Sequence, residues 1–524
     1  MIAFEGLSRG IAEMVWKGPV GSIAYDGEGA LARIGDLALP CYVVRTSQGV
    51  GVTNDGQLTT PVADGAEALL VAPPLSRQSL GDPNFRATYR LDCAYMAGSM
   101  ANAISSEAMV IALGQAGMLG SFGAGGLSLG RLELAIRRVQ DALPEGPYAF
   151  NLIHNPHETA LERGAVELYL KHAVRVVEAS AYLALTPHLV RYRVAGLETD
   201  QSGHLVIRNR VIAKVSRREV AALFLNPPPA KLLGTLVQQG LITEHQATLA
   251  ANVPMADDIT VEADSGGHTD NRPLVCLLPS VIAQRDEVQA LHQYSTPVRI
   301  GAAGGIGTPI AAFGALMMGA AYVVTGSINH ACVEAGTSEH VKKLLAEAGM
   351  ADVMMAPAAD MFEMGVNLQV LKRGTLFPLR AHKLYELFQT YDSLDAIPAD
   401  DRRKLEEQVF QRPVDEIWEA CVDFFSERDP AQIERALDSP KRRMALVFRW
   451  YLGLATRWAI SGESGRELDY QIWCGPAMGA FNDWAKGSHL EGPSQRHVAE
   501  IGRRMMDAAT LLYRLQVLKM GGLR

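Results

Sequence analysis

The 524 residues carry a net charge of −8, with 48% hydrophobic and 20% charged side chains, a globular composition long enough for two or three domains. That acidic balance argues against a nucleic-acid surface, which calls for a basic one. The opening MIAFEGLSRGIAEMVWKG has no basic stretch leading into an apolar run, so no secretory signal is expected and the chain reads as cytoplasmic. Its six cysteines are scattered without a CxxC pair, which predicts reduced, mostly buried thiols and no metal site.

In chain order, residues 1–90 alternate short β-like runs (LPCYVVRT, GVGVTN, ALLVAPP) with Gly and Pro, which predicts a small β-rich accessory region. From residue 91 the rhythm changes. Candidate strands fall at 91–100, 117–123, 148–153, 174–180, 210–216, 258–264, 298–303 and 321–326. Helical segments such as SEAMVIALGQA, RLELAIRRVQDAL and HETALERGAVELYLKHA lie between them. Eight strand–helix units in a segment of this length predict an α/β TIM barrel over 91–335, with a doubly wound open sheet as runner-up. Residues 217–252 form a helical insertion between the fifth and sixth strands. Residues 336–524 read as mostly helical, and RRMALVFRWYLGLATRWAI is apolar nearly all round, as a buried helix is.

From Ile300 to Val333 no charged residue appears, a length that would suffice for a membrane span. The clustered glycines and Pro309 instead divide it into strand, turn, helix and strand, so no membrane segment is expected. In a TIM barrel the site forms at the C-terminal ends of the strands, with phosphate commonly held after strands seven and eight. Here those strands end in Ala303-Gly304-Gly305-Ile306-Gly307 and Thr325-Gly326-Ser327. A dinucleotide fingerprint would need an acidic residue about 20 positions on. The next acid is Glu334, so a flavin mononucleotide (FMN) phosphate fits better than NAD at this turn.

Other strand ends carry polar groups suited to a flavin ring: Asn102, Asn151, Lys214 and Asp264, with Lys214 a candidate cation near N1 and O2. After strand six, Gly266 and Gly267 would let the backbone pass close to a flat ligand, and His268 would donate a proton or orient a carbonyl. His154 and His157 in NLIHNPHE lack a third metal ligand and read as loop residues.

The strings EMVIALGQAGMLGSFGAGGL, FNLI, SGGH, AAGGIGTP and VTGSIN resemble the motifs of the flavin-dependent nitronate monooxygenase and enoyl reductase barrels. Longer strings, among them VPMADDITVEADSGGHTDNRPLV, MAPAADMFEMGVNLQVLKRGTLFPLRAHKLYELFQTYDSL and DYQIWCGPAMGAFNDW, resemble the PfaD-type enoyl reductases of polyunsaturated fatty acid and trans-acyltransferase polyketide synthases. That resemblance implies an FMN-dependent, NADPH-using reductase acting in trans on acyl chains tethered to an acyl carrier protein. It implies that Gly304, Gly305, Gly326 and Ser327 hold the FMN phosphate and that Asn102, Asn151 and Lys214 lie against the ring or ribityl chain. His268 matches the histidine after the paired glycines. In related barrels Glu-Ala precedes those glycines, whereas Asp264-Ser265 stands here. Nitronate monooxygenase is the alternative activity, and a homodimer the default assembly.

Overall fold

The computed structural model describes residues 14–60, 65–155 and 158–523. Eight strands form a closed barrel: β1 (Tyr95–Ala97), β2 (Leu119–Phe122), β3 (Ala149–Ile153), β4 (Val176–Ser180), β5 (Arg210–Val215), β6 (Asp258–Glu262), β7 (Arg299–Ala303) and β8 (Val323–Thr325). Every neighbouring pair is parallel, and β8 pairs with β1 to close the ring. Each of the eight expected runs contains one strand. The open-sheet alternative is excluded by closure.

Both faces of these strands are buried, which is why they read as apolar runs rather than alternating ones. Val177, Ala179, Val211, Ala213, Ile259 and Val261 point outward into the core shared with the helices. Met96, Leu119, Ala149, Ile212, Tyr322 and Val324 fill the interior.

The N-terminal mouth is plugged. Asp258 and Arg299, at the starts of β6 and β7, form a two-pronged ion pair at 2.6 and 2.8 Å with almost no exposure. Helix Pro83–Tyr89 lies across this end, where the Tyr89 hydroxyl donates to Asp258 and Phe85 stacks on Tyr322 with ring centres 4.0 Å apart. Paired and packed side chains therefore seal this end of the barrel.

The first region is a five-stranded antiparallel sheet in the order Gly49–Thr53, Cys41–Thr46, Ala66–Ala72, Val15–Lys17, Gln57–Thr59. It is fastened by the last helix, Val498–Met520, whose fully buried Arg514 donates to the carbonyls of Ile34, Asp36, Leu37, Leu39 and Pro73. The same helix places Ile501, Met505, Met506 and Ala509 in the barrel core. It therefore stands where the helix following β8 belongs. The chain makes a long excursion after β8 before that helix is laid down.

Residues 336–524, expected as one mostly helical stretch, thus serve two cores. The excursion has its own core around Phe362, Phe410, Phe448 and Tyr451, built by helices Phe377–Thr390, Val414–Arg428 and Pro440–Ser461. It also contains two strands that the helical reading missed, Val353–Pro357 and Asn367–Leu371. These pair antiparallel, and the second takes Gly267–His268 as a third strand. The 217–252 segment forms helices Arg218–Leu225, Ala230–Gln238 and Glu244–Ala250. Among the described residues no single helix is long and apolar enough to cross a membrane; the bent pair Arg218–Leu225 and Ala230–Gln238 passes by length and composition alone.

Removing one partner of a buried ion pair leaves an uncompensated charge, a loss of about 3–5 kcal/mol. Arg299→Met is expected to destabilise the protein by that amount in urea unfolding, with part recovered in the Asp258→Leu/Arg299→Met double variant. A loss below about 1 kcal/mol would contradict the assigned role of the pair.

Candidate active site at the C-terminal mouth of the barrel

The upper interior of the barrel is polar. Asn151 and Glu178, in the middle of β3 and β4, and Lys214 and Glu262, near the ends of β5 and β6, occupy inward positions above the apolar layer. Lys214 Nζ lies 3.4 Å from Glu262 Oε1. Burial works against its ammonium, but Glu262 and Glu178 outweigh that and hold the pKa above the ordinary lysine value. The Asn151 amide nitrogen donates to the Glu178 carbonyl at 3.0 Å and to Ser180 at 2.9 Å, which fixes its side chain against β4. Asn102 follows β1 in the left-handed region, with φ 57°, and its backbone amide donates to the Gly125 carbonyl.

The glycine turn after β7 has the conformation that its sequence suggests. Gly304 and Gly305 have φ of 83° and 73°, a region that strains any other residue. A β-carbon on Gly304 would stand 2.6 Å from the backbone of Ala263, so the turn lies directly on the end of β6. Gly305 and Gly326 face open space. Among the described residues, the amides of Gly305, Ile306, Ser327 and Ile328 donate to no protein acceptor. These N–H groups and the open space above the glycines suit an oxyanion such as phosphate.

The excursion after β8 returns to this turn. The Gly475 amide donates to Ser327 Oγ at 2.9 Å, which leaves the Ser327 hydroxyl proton for another acceptor. A β-carbon on Gly475 would meet the backbones of Gly266 and Ser265 at 2.8–2.9 Å, and one on Gly266 would meet the Cys474 backbone at the same range. Gly307 lies as close to the Ala477 carbonyl. Beneath Ser327, the buried His330 donates through Nδ1 to the Trp473 carbonyl, and burial draws its pKa down to about 4, so the ring is neutral.

The expected site residues divide into two groups. Gly266, Gly304, Ser327 and the 473–477 segment form one wall, and Lys214 joins it through Glu262, which Ser265 Oγ contacts at 3.3 Å. Asn102 and Asn151 stand on the β1–β4 side. Asp264 accepts from Asn271 and from Gln369, 2.8 Å away on the excursion's strand, so its carboxylate ties the loop to that sheet. His268 is about half exposed, and its Nε2 contacts Asp360 Oδ1 at 3.2 Å. Sequence reasoning missed Glu178, Asp360, Gln369 and Gly475; only the CGPAMG glycines hinted at a close approach. His154 bonds Glu162 at 2.8 Å, and His157 lies outside the described residues. Among the described residues no cluster of three His, Cys, Asp or Glu side chains could hold a metal.

The architecture is a closed eight-stranded parallel barrel with glycine turns and unpartnered amides after strands seven and eight. A family model described as nitronate monooxygenase matches residues 94–387, more than half of the chain, and the chain belongs to that family. A model described as the fatty acid synthase subunit PfaD N-terminal domain matches 16–74. A third, the inserted helical domain of [acyl-carrier-protein] S-malonyltransferase, matches 391–470, inside the excursion. The enoyl reductase domain of MlnA, from the macrolactin cluster of Bacillus amyloliquefaciens, is 42% identical with a TM-score of 0.81, covering 84% of this chain and 99% of that one. A polyunsaturated fatty acid synthase component of Thraustochytrium is 49% identical over 99% of this chain and 34% of its own length. Polyketide biosynthesis protein PksE of Bacillus subtilis is 48% identical over 84% of this chain and 57% of its own length. The chain therefore spans about a third of the Thraustochytrium protein and just over half of PksE.

Burial opposes the charged form of His268, but its hydrogen bond to Asp360 prevails and its pKa lies above the ordinary histidine value, while that of Asp360 lies below the usual aspartate value. The charged pair is therefore present between the two folded-state pKa values. It is lost as pH rises through the folded-state pKa of His268, and again as pH falls through that of Asp360. Asp360→Asn is expected to move the His268 midpoint to lower pH in an NMR titration. An unmoved midpoint would exclude the pairing.

Proposed function

We propose that this protein is an FMN-dependent, NADPH-using enoyl reductase that reduces the 2,3 double bond of enoyl thioesters carried by an acyl carrier protein. The observation that carries the flavin reading is the glycine cradle after β7 and β8. Its unpartnered amides and Ser327 hydroxyl suit one phosphate, and Gly305 and Gly326 leave room above them. The likeness to an enoyl reductase domain over nearly that domain's whole length supports the reaction, whereas nitronate oxidation rests on the barrel family alone.

Bound at this mouth, the flavin supplies hydride transfer from NADPH to the β-carbon of the thioester. The protein's own groups do the rest. Gly304, Gly305, Gly326 and Ser327 would hold the phosphate, and Lys214 would supply a positive charge to the part of the ring where charge collects on reduction. Asn102 and Asn151 line the opposite side, and Gly266 and Gly267 let the backbone approach the ring. Asp264 acts at one remove, by fastening the Gly266–His268 loop to the excursion through Gln369. His268, whose pKa Asp360 raises, would donate a proton to the α-carbon or polarise the thioester carbonyl.

The partner is an acyl carrier protein of a fatty acid or polyketide synthase, which these relatives' names support. The basic clusters that would attract an acidic carrier are largely neutralised at home. Arg402, Arg403 and Lys404 pair with Asp395, Asp400 and Asp401, Arg217 pairs with Asp270, and Arg443 pairs with Asp415. Carrier docking is therefore not assigned to any of them.

The purified protein should be yellow and release FMN rather than FAD on denaturation. Gly305→Asp, which sets a carboxylate against the phosphate, should abolish flavin retention. Mixed anaerobically with NADPH, the flavin should bleach and then reoxidise when a crotonyl-loaded carrier is added, with butyryl carrier as product. His268→Ala should keep the flavin and slow reoxidation roughly 100-fold. Flavin that is reduced by nitronate and reoxidised by oxygen, but not by crotonyl carrier, would replace this reading with the alternative.

A further inference from the structure

One group in the upper barrel has no part in the chemistry proposed so far. Glu178 lies in the middle of β4 with no exposure, between Val177 and Ala179, which point outward into the helical core. Strand alternation therefore turns Glu178 into the barrel. Its Oε2 accepts the Ser99 amide at 2.8 Å, while Oε1 is buried and has no partner. A carboxylate kept inside a protein with a bare oxygen is costly unless a nearby cation offsets it. On the neighbouring strand β5, Ile212 lies opposite Glu178, so Lys214, two residues on along the same inward face, stands diagonally beside it. Glu178, together with Glu262 at 3.4 Å, stabilises the charge of Lys214. Two acidic side chains thus share one ammonium directly beneath the mouth.

Glu262 has a second contact, from Ser265 Oγ, so it is anchored to the rim. Glu178 is anchored by one oxygen only, and Oε1 faces the rim at Gly98, where a β-carbon would lie 3.4 Å from it. Around a flavin, positive charge near N1 and O2 stabilises the reduced form, and negative charge opposes it. An isolated Lys214 would therefore raise the reduction potential and hold the electrons on the cofactor.

We propose that Glu178 is a positioning residue that offsets the charge of Lys214 and thereby lowers the reduction potential of the flavin, an inference resting on the flavin reading of the mouth. Lowering that potential makes the reduced cofactor a stronger hydride donor to the enoyl thioester. A purely structural Glu178 would leave the potential alone.

The test is the flavin midpoint potential of the intact protein, measured by anaerobic dye equilibration. Glu178→Gln keeps an acceptor for the Ser99 amide and removes only the charge. It should favour the reduced flavin about tenfold, a rise of about 30 mV for a two-electron couple. In a Lys214→Met background the same substitution should have a clearly smaller effect. An unchanged potential in Glu178→Gln overturns the inference, as does an equal rise with and without Lys214. Wild-type protein that holds no flavin would overturn the functional reading as well. Should Glu178→Gln fail to retain flavin, the Lys214 titration in flavin-free protein decides. A midpoint below that of flavin-free wild type supports the coupling, and an identical one overturns it.

Discussion

The architecture of the mouth depends on a contact between two stretches of backbone with no side chain between them. Gly475 and Gly266 lie so close that a β-carbon on either would strike the other's strand of chain, and from this position the Gly475 amide reaches Ser327. The turn that suits a phosphate is therefore built from two sources. The barrel supplies the glycines after β7 and β8, and the excursion after β8 supplies the lid of backbone that fixes Ser327. Gln369 holding Asp264, and Asp360 holding His268, extend the same junction along one wall.

The two ends of the barrel do different work. At the N-terminal end the central charges are matched and enclosed: Arg299 with Asp258, Tyr89 donating to the same carboxylate, and Phe85 sealing Tyr322. At the C-terminal end the charges are incompletely matched. Glu178 has a bare oxygen, Lys214 is shared between two acids, and several amides have no acceptor. Satisfied polar groups give stability, whereas unsatisfied ones mark where a ligand or reacting group completes the set. That contrast supports the C-terminal mouth as the site independently of the motifs.

The barrel was legible because each strand is a short apolar run bounded by glycine and followed by a helical period, and both signals are local. Gly304, Gly305 and Gly326 were legible for the same reason. The other half of the mouth was not. Gly475 meets Ser327 across 148 residues, Gln369 meets Asp264 across 105, and His268 meets Asp360 across 92. No local period records such pairings. Residues 336–524 were legible as mostly helical, but that pattern could not say that helix Val498–Met520 would close the barrel and clasp the first sheet through Arg514. Glu178 escaped notice because it sits inside an apolar run, where strand ends draw attention instead.

If the excursion completes the cofactor site, a change at Gly475 must be felt by the flavin and not only by the fold. Gly475→Ala pushes a methyl group against Gly266 and shifts the Ser327 contact, while leaving the barrel plug untouched. Equilibrium titration of the flavin-free variant with FMN tests this most directly, with circular dichroism confirming an intact barrel. The account predicts affinity weakened at least tenfold, about 1.4 kcal/mol, in a protein that is still folded. Undiminished FMN affinity would show that the barrel holds the phosphate alone and would contradict the shared site.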